Sequence, residues 1–100
     1  MIVAIDYDET ITENVGAWKE IIKTMNFMNF TVLCVTYRQP DCDPYDLEWL
    51  KGYVEEIIFT GQTAKRKFCI EQGWEVDVWI DDEPMSITHN YHSFKWELPD

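Results

Sequence analysis

The sequence predicts a single α/β domain over residues 1–100, with a parallel sheet and helices on both of its faces in a three-layer α/β/α arrangement. Apolar, β-rich runs alternate along the chain with amphipathic stretches of helical spacing. At least two of these runs are almost continuously apolar, as strands covered on both faces are. A chain of 100 residues, 46% of them hydrophobic, supports one core. The alternating order indicates right-handed βαβ units.

The first predicted strand covers residues 2–5, and a helix is expected over residues 14–25, where apolar residues recur at helical spacing. Two signals compete for the start of this helix. Thr10 and Glu13 have the spacing of a capping box, and Asn14 is itself a favourable N-cap. The boundary is therefore open by about one turn.

The second predicted strand, residues 30–36, is again nearly continuous in apolar and β-branched side chains. Asp43 and Pro44 then have the order expected of an N-cap and a first helical residue. The helix predicted to begin there has one apolar face, formed by Leu47, Leu50 and either Tyr53 or Val54. A short third strand is expected over residues 56–60.

A further helix is predicted over residues 63–72, with Gly73 as its stop signal. The fourth strand, residues 76–80, runs directly into Asp81-Asp82-Glu83-Pro84. The remaining segment, residues 85–100, fits a mixture of a short helix and an edge strand.

The charge balance restricts the partners. The chain has 19 acidic and 8 basic residues, a net charge of −11, so tight sequence-independent binding to nucleic acid or to acidic membrane surfaces is not expected. A phosphate site would need a local metal ion and a few placed cations. The three cysteines have no paired spacing, and the start of the chain has neither a signal peptide nor a membrane span, which indicates the cytosol.

Polar residues end each predicted strand. Because the carboxyl ends of parallel strands meet at one edge of a sheet, these residues are expected to converge. Carboxylates, hydroxyls and an ammonium group together form a cation site beside an anion site, and such oxygen ligands suit Mg²⁺. The expected set is Asp6 and Asp8, Thr36, Thr60, Asp81 and Asp82, with Lys65 in the first turn of the next helix.

The order of these residues resembles the haloacid dehalogenase (HAD) superfamily of aspartate-nucleophile phosphohydrolases. Asp6-Tyr7-Asp8-Glu9-Thr10 is similar to its D-x-D-x-T signature, and the likeness spans residues 2–84. Thr36, Lys65 and the pair Asp81-Asp82 resemble its second, third and fourth motifs. The resemblance implies a Rossmann-like catalytic domain and a Mg²⁺-dependent phosphatase.

The resemblance also implies roles. Asp6 would attack phosphorus and become a transient aspartyl phosphate, and Asp8 would act as general acid and then general base. The metal ligands would be the Asp6 side chain, the Asp8 backbone carbonyl and Asp81, with Asp82 nearby. Thr36 and Lys65 would hold the phosphate. A solvated helix face is the ordinary role of Lys65, Arg66 and Lys67, and at most one of Lys65 and Lys67 can face the site.

Two departures from the family pattern stand out. Glu9 occupies a position where many relatives have glycine, and its side chain is expected to face solvent. The short connections after Thr10 and Thr36 leave no room for a cap domain. An open site admits large substrates or takes its lid from a partner subunit, as in a homo-oligomer.

Two other classes stay open. A response-regulator receiver domain also combines acidic residues, Thr and Lys around Mg²⁺, but places its acceptor aspartate after the third strand. A non-catalytic phosphate-binding module of the same fold is the other, for which Glu9 is the only hint. Substrate identity is open among nucleotides, sugar phosphates, phosphoproteins and 3′-phosphorylated polynucleotide ends, although charge disfavours the last. Arg38 is a leaving-group contact or a surface arginine, and His89 with His92 forms no metal site alone.

Overall fold

The structure, a computed structural model, describes residues 1–41 and 45–91. The strands are β1 (Ile2–Ile5), β2 (Thr31–Thr36), β3 (Glu56–Phe59) and β4 (Val78–Ile80). The α-helices are α1 (Val15–Phe27), α2 (Lys65–Glu71) and α3 (Met85–Thr88), and two 3₁₀ helices cover Ile11–Glu13 and Tyr45–Gly52.

The four strands form one parallel sheet in the order β3-β2-β1-β4. In the centre, Ile5 lies opposite Cys34 on β2 and Ile80 on β4. The inner strands β1 and β2 are the most apolar runs of the sequence, as expected for strands that are paired on both sides and covered on both faces. The prediction of a parallel α/β sheet is confirmed.

Alternating side chains of β1 and β2 send two clusters to opposite faces of the sheet. One face packs against α1 and the longer 3₁₀ helix through Val3, Ile5, Val32, Cys34, Ile22, Leu47 and Leu50. The other packs against α2 through Ala4, Leu33, Val35, Ile58 and Cys69. Truncation of a fully buried member such as Leu50 to alanine is expected to cost about 2–5 kcal/mol. Helical segments therefore cover both faces.

Asn14, not the Thr10–Glu13 pair, caps α1. The Asn14 side chain accepts a hydrogen bond from the Ala17 backbone N–H at 3.0 Å. Residues 11–13 form a separate 3₁₀ turn, and the Thr10 side chain makes no cap bond. This frees the Thr10 hydroxyl for contacts with carboxylates after β1 and β4.

The predicted helix is present over Tyr45–Gly52, where it is of the 3₁₀ type. Leu47 and Leu50 are buried as expected, together with Val54. Leu47 and Leu50 are three residues apart, a spacing that fits the three-residue turn of a 3₁₀ helix as well as one face of an α-helix. The predicted start at Asp43 and Pro44 lies outside the described residues.

In the second half of the chain, the boundaries of the helices and strands differ slightly from the predictions. Helix α2 begins at Lys65, and Gly73 follows it at φ +92°, the left-handed backbone that glycine adopts without strain. Strand β4 begins only at Val78. Just before it, the Asp77 carboxylate accepts a hydrogen bond from the Ile2 N–H at 2.7 Å, and the Asp77 N–H donates to the Ile2 carbonyl at 2.8 Å. The short helix of the tail is α3; His92 and the strand predicted toward residue 100 lie outside the described residues. Among residues 1–41 and 45–91, no helix has the length and apolar character to cross a membrane.

Candidate functional site

A small cleft of about 120 Å³ lies at the carboxyl edge of the sheet. Its floor is where the strand order reverses between β1 and β4, the position at which open α/β sheets bind ligands. The Asp6 N–H donates to the Ile80 carbonyl at 2.9 Å, which holds the residue after β1 beside the end of β4. The cleft is lined by Asp6, Asp8, Glu9, Thr36, Tyr37, Lys65, Asp81, Asp82, Glu83 and Ser86.

Six of the seven residues expected at the site line this cleft: Asp6, Asp8, Thr36, Lys65, Asp81 and Asp82. Thr60 does not line it. Its hydroxyl is buried, and among the described residues it has no hydrogen-bond partner. The strand ends therefore converge, but the third strand contributes through Lys65 of the following helix.

Lys65 links two of the strand ends. Its ammonium lies 2.9 Å from Asp6 Oδ1 and 2.5 Å from Asp81 Oδ2, and the residue is 2% exposed. Arg66 and Lys67, in contrast, are exposed. A buried ammonium of this kind needs carboxylate partners, since its desolvation is otherwise costly. Lys65 is thus the one basic residue of its helix that faces the cleft.

Asp81 is held by three donors. Besides Lys65, the Ser86 hydroxyl donates to Asp81 Oδ2 at 3.1 Å, and the Glu83 backbone N–H donates to Asp81 Oδ1 at 2.9 Å. Ser86 is buried at the start of α3. Sequence reasoning missed this role of Ser86, because nothing in its spacing distinguishes it from a helix-surface serine.

Asp6 and Asp82 form a carboxyl pair with Thr10 between them. The Thr10 hydroxyl lies 3.2 Å from Asp6 Oδ2 and 3.3 Å from Asp82 Oδ1. Burial raises the pKa of Asp6 from 3.8 to about 7, and the Lys65 ammonium offsets only part of this effect. Burial also acts on Asp82, but hydrogen bonds from Asp6 and Thr10 outweigh it and lower the pKa of Asp82. Near neutral pH, a proton and a metal cation therefore compete for the Asp6 carboxylate.

The cleft contains more negative charge than its basic residue neutralises. Six carboxyl groups and one ammonium group line it. Asp6, Asp81 and Asp82 each offer a carboxylate oxygen, and these oxygens lie within 4.8 Å of one another. Hard oxygen donors of this kind fit Mg²⁺, and the raised pKa of Asp6 is the electrostatic mark of a carboxylate without full compensation. These three aspartates could therefore hold a metal ion.

Asp8 lies in the turn after β1, where the strand has ended, and its carboxylate is half exposed. Both of its oxygens accept hydrogen bonds from the Arg38 guanidinium, at 2.7 and 3.0 Å. Its side chain is separate from the three-aspartate group that could hold a metal. Asp6 and Asp8 therefore occupy different surroundings, one buried beside Lys65 and one at the rim beside Arg38.

Glu9 has a left-handed backbone, with φ 63°, and its side chain is exposed at the rim of the cleft. This conformation favours glycine and costs another residue on the order of 1–3 kcal/mol. The Glu9 N–H donates to the Thr12 hydroxyl at 2.8 Å, which fixes the turn. The left-handed backbone gives a physical reason for a glycine at this position in a D-x-D-x-T turn.

Thr36 ends β2 and is 1% exposed. Its hydroxyl accepts a hydrogen bond from the Arg38 backbone N–H at 3.3 Å and lines the cleft. The next residue, Tyr37, places its ring 5.5 Å from the Lys65 ammonium and donates its hydroxyl hydrogen to the His89 carbonyl. Tyr37 covers Lys65, a role that strand-end reasoning did not assign.

Comparison of the chain with protein-family models, with curated proteins and with solved structures finds no match. The functional argument therefore depends on the geometry of the cleft itself.

Proposed function

We propose that this protein is a Mg²⁺-dependent phosphomonoester hydrolase that acts through an aspartyl phosphate on Asp6. One observation carries the proposal: Lys65 bridges Asp6 and Asp81 in a cleft shared with Asp8, Asp82 and Thr36 at the switch point of a parallel sheet. A nucleophilic carboxylate, a cation site and phosphate-binding donors are the parts that phosphoryl transfer requires. We further propose a three-layer domain of the HAD type without a cap.

The strand order supports this class over a receiver domain. Receiver domains have the order 2-1-3-4-5, whereas the sheet here has β3-β2-β1-β4. A receiver also carries its phospho-accepting aspartate after the third strand, where this chain has Thr60. The acidic residues follow β1 and β4 instead.

Asp6, Asp81 and Asp82 would hold the metal ion. When bound, Mg²⁺ supplies neutralisation of phosphate oxygens in a cleft that otherwise repels a phosphate dianion. Lys65 and the Thr36 hydroxyl contribute donors to the same oxygens. The Lys65 ammonium also keeps Asp6 oriented, since it already contacts Asp6 Oδ1.

The chemistry proceeds in two displacements. A carboxylate oxygen of Asp6 bonds to phosphorus while the bond between phosphorus and the ester oxygen breaks, and Asp8 gives that oxygen a proton so that it leaves as an alcohol. In the second step water attacks the phosphorus of the aspartyl phosphate and passes a proton to Asp8. The bond between Asp6 and phosphorus breaks, inorganic phosphate is released, and both aspartates return to their starting states.

The size of the cleft bears on the substrate. Its volume of about 120 Å³ lies below the ~300–1,000 Å³ range of small-molecule sites. A phosphate group fits inside while the rest of the substrate stays outside. This favours an exposed phosphate on a large molecule or a substrate covered by a partner subunit.

The test is hydrolysis of an aryl phosphate with Mg²⁺. We expect turnover that stops in chelator and in Asp6→Asn, because the variant lacks the nucleophilic oxygen. Asp77→Asn is the matched control. Asp77 lies at the opposite, amino-terminal edge of the sheet, and an asparagine there can still accept from the Ile2 N–H. Turnover that survives Asp6→Asn would refute the nucleophile assignment.

A second measurement separates an enzyme from a phosphate-binding module. Beryllium fluoride, a phosphate mimic, should raise the melting temperature of the wild-type protein only with Mg²⁺ present, since a ligand stabilises the state it binds. A shift without any turnover would support the binding module. No shift would oppose both.

A further inference from the structure

Arg38 lies between two carboxylates that come from different parts of the chain. Its guanidinium binds Asp8 through two nitrogens, at 2.7 and 3.0 Å, and Asp46 through two nitrogens, at 2.7 and 2.8 Å. Both contacts are bidentate, which fixes the plane as well as the position of the guanidinium. Asp46 belongs to the 3₁₀ helix Tyr45–Gly52 and Asp8 to the turn after β1.

The position of Arg38 does not depend on Asp8 alone. The ring of Tyr7 lies against the guanidinium, 5.3 Å from its carbon to the ring centroid. The Tyr7 hydroxyl donates to the Asp46 carbonyl at 2.9 Å and is 3.3 Å from Trp49 Nε1. The pairing with Arg38 holds the pKa of Asp46 below its usual value, so Asp46 remains a carboxylate partner. Arg38 is thereby anchored on the side away from Asp8.

Asp8, in contrast, depends on Arg38. It lies in a turn, its side chain is 51% exposed, and the hydrogen bonds that the structure gives its carboxylate come from Arg38. Asp8 lines the cleft, whereas Arg38 is not among the described residues that do. Arg38 therefore touches the proposed acid and base but not the cleft in which a phosphate would bind.

We propose that Arg38, anchored by Asp46 and Tyr7, is a positioning residue that holds the Asp8 carboxyl at the cleft for proton transfer. The inference rests on the proposed phosphatase function. A carboxyl on an exposed turn would otherwise sample several rotamers, and a displacement of about 1 Å can cost on the order of 10²-fold in rate. The Asp46 carboxylate balances the positive charge of Arg38 and keeps the guanidinium in place while Asp8 gives up and regains its proton.

The experiment compares substrates that differ in their need for a general acid. A nitrophenyl phosphate has a leaving group that departs without protonation, whereas an alkyl phosphate requires it. In Arg38→Met we expect kcat/KM, which reports the first displacement only, to fall about 30–100-fold for the alkyl phosphate and about threefold or less for the nitrophenyl phosphate. KM for the alkyl phosphate should change little. Arg38→Lys, which keeps the charge but not the fork, should recover only part of the loss.

Asp46→Asn gives an independent test that leaves Arg38 and Asp8 intact. It should produce the same selective loss to a smaller degree, about 3–10-fold for the alkyl phosphate, because Arg38 loses one anchor. Arg66→Met is the matched control, since Arg66 is an exposed arginine on α2. Melting temperatures of all variants show whether the fold is retained.

Two results would overturn the inference. Equal losses of kcat/KM for both substrates in Arg38→Met and Asp46→Asn would indicate a structural role, and a raised KM with unchanged kcat would indicate direct contact with substrate. Both require an active wild-type protein and leave the proposed function standing. Absence of turnover by the wild-type protein itself would refute the proposed function and this inference together.

Discussion

Replacement of Asp6 by asparagine should stabilise the metal-free protein at neutral pH even as it removes the proposed nucleophile. Asp6 is 8% exposed, and burial raises its pKa from 3.8 to about 7. Asparagine resembles the protonated carboxyl: its oxygen can accept from Lys65, and its amide can donate to Asp82. The substitution therefore removes a buried charge and keeps the local hydrogen bonds.

The sign of the pH dependence follows from proton binding. Between pH 3.8 and about 7, the unfolded chain has lost the Asp6 proton while the folded protein retains it. The folded state binds more protons in this window, so the free energy of unfolding decreases as pH rises. Below this pH window Asp6 is protonated in both the folded and the unfolded state. Above it Asp6 is ionised in both, and the folded protein bears the full cost of the buried charge.

The magnitude follows from the difference between the two pKa values. A rise from 3.8 to about 7 corresponds to about 4 kcal/mol. That is a large part of the ~5–15 kcal/mol typical of a domain. The lowered pKa of Asp82 acts below pH 3.8, so its opposite contribution falls outside this window.

The assay is urea unfolding in chelator, followed by tryptophan fluorescence at several pH values from 4.5 to 8. Wild type should lose stability across the range, and Asp6→Asn should be nearly flat and more stable than wild type above pH 7. Added Mg²⁺ should raise the free energy of unfolding of the wild-type protein most at high pH, where Asp6 is ionised. Parallel pH profiles for the two proteins would refute the reasoning.

Two further predictions concern the residues around Asp6. Lys65→Met should destabilise the metal-free protein by about 3–5 kcal/mol at neutral pH, because it leaves carboxylates without their buried cation. Urea unfolding measures this loss of stability, with the exposed Lys67→Met as control. A loss no larger than that of Lys67→Met would contradict the prediction. Glu9→Gly should raise the free energy of unfolding by about 1 kcal/mol, since glycine relieves the strain at φ 63° but is more flexible when unfolded. Asn29→Gly, at the same φ, should gain less because asparagine tolerates this backbone, and equal gains in thermal melts would argue against strain at Glu9.

The convergence of Asp6, Thr36 and Asp81 could be predicted because it follows from strand direction alone. Apolar runs identified the strands, and parallel pairing placed their ends together. Helix geometry allowed at most one of Lys65 and Lys67 to face the site, and Lys65 was expected there because of its distance from Thr60 and its place at the helix start. These inferences need no knowledge of how the loops run.

What the sequence did not predict depends on the paths of those loops. Leu47 and Leu50 are three residues apart, a spacing shared by both helix types, so the 3₁₀ conformation was hidden. The approach of Asp46 to Arg38 is set by the chain between β2 and β3, and no local pattern encodes it. The same is true of Ser86, whose contact with Asp81 depends on where α3 lies.

The position of β1 in the sheet has a consequence for how the chain assembles. This strand comes first in the sequence but lies between β2 and β4, and its contact with the segment before β4 joins Ile2 to Asp77 across 75 positions. Such distant pairings form slowly, because a long loop must close before they are stabilised. We expect the β1–β2 pair to form first and to leave one side of β1 open until β4 docks. The acidic pair after β4 then reaches Asp6 in the last step. The carboxylates of the cleft therefore come close enough to repel one another only when the rest of the sheet has formed.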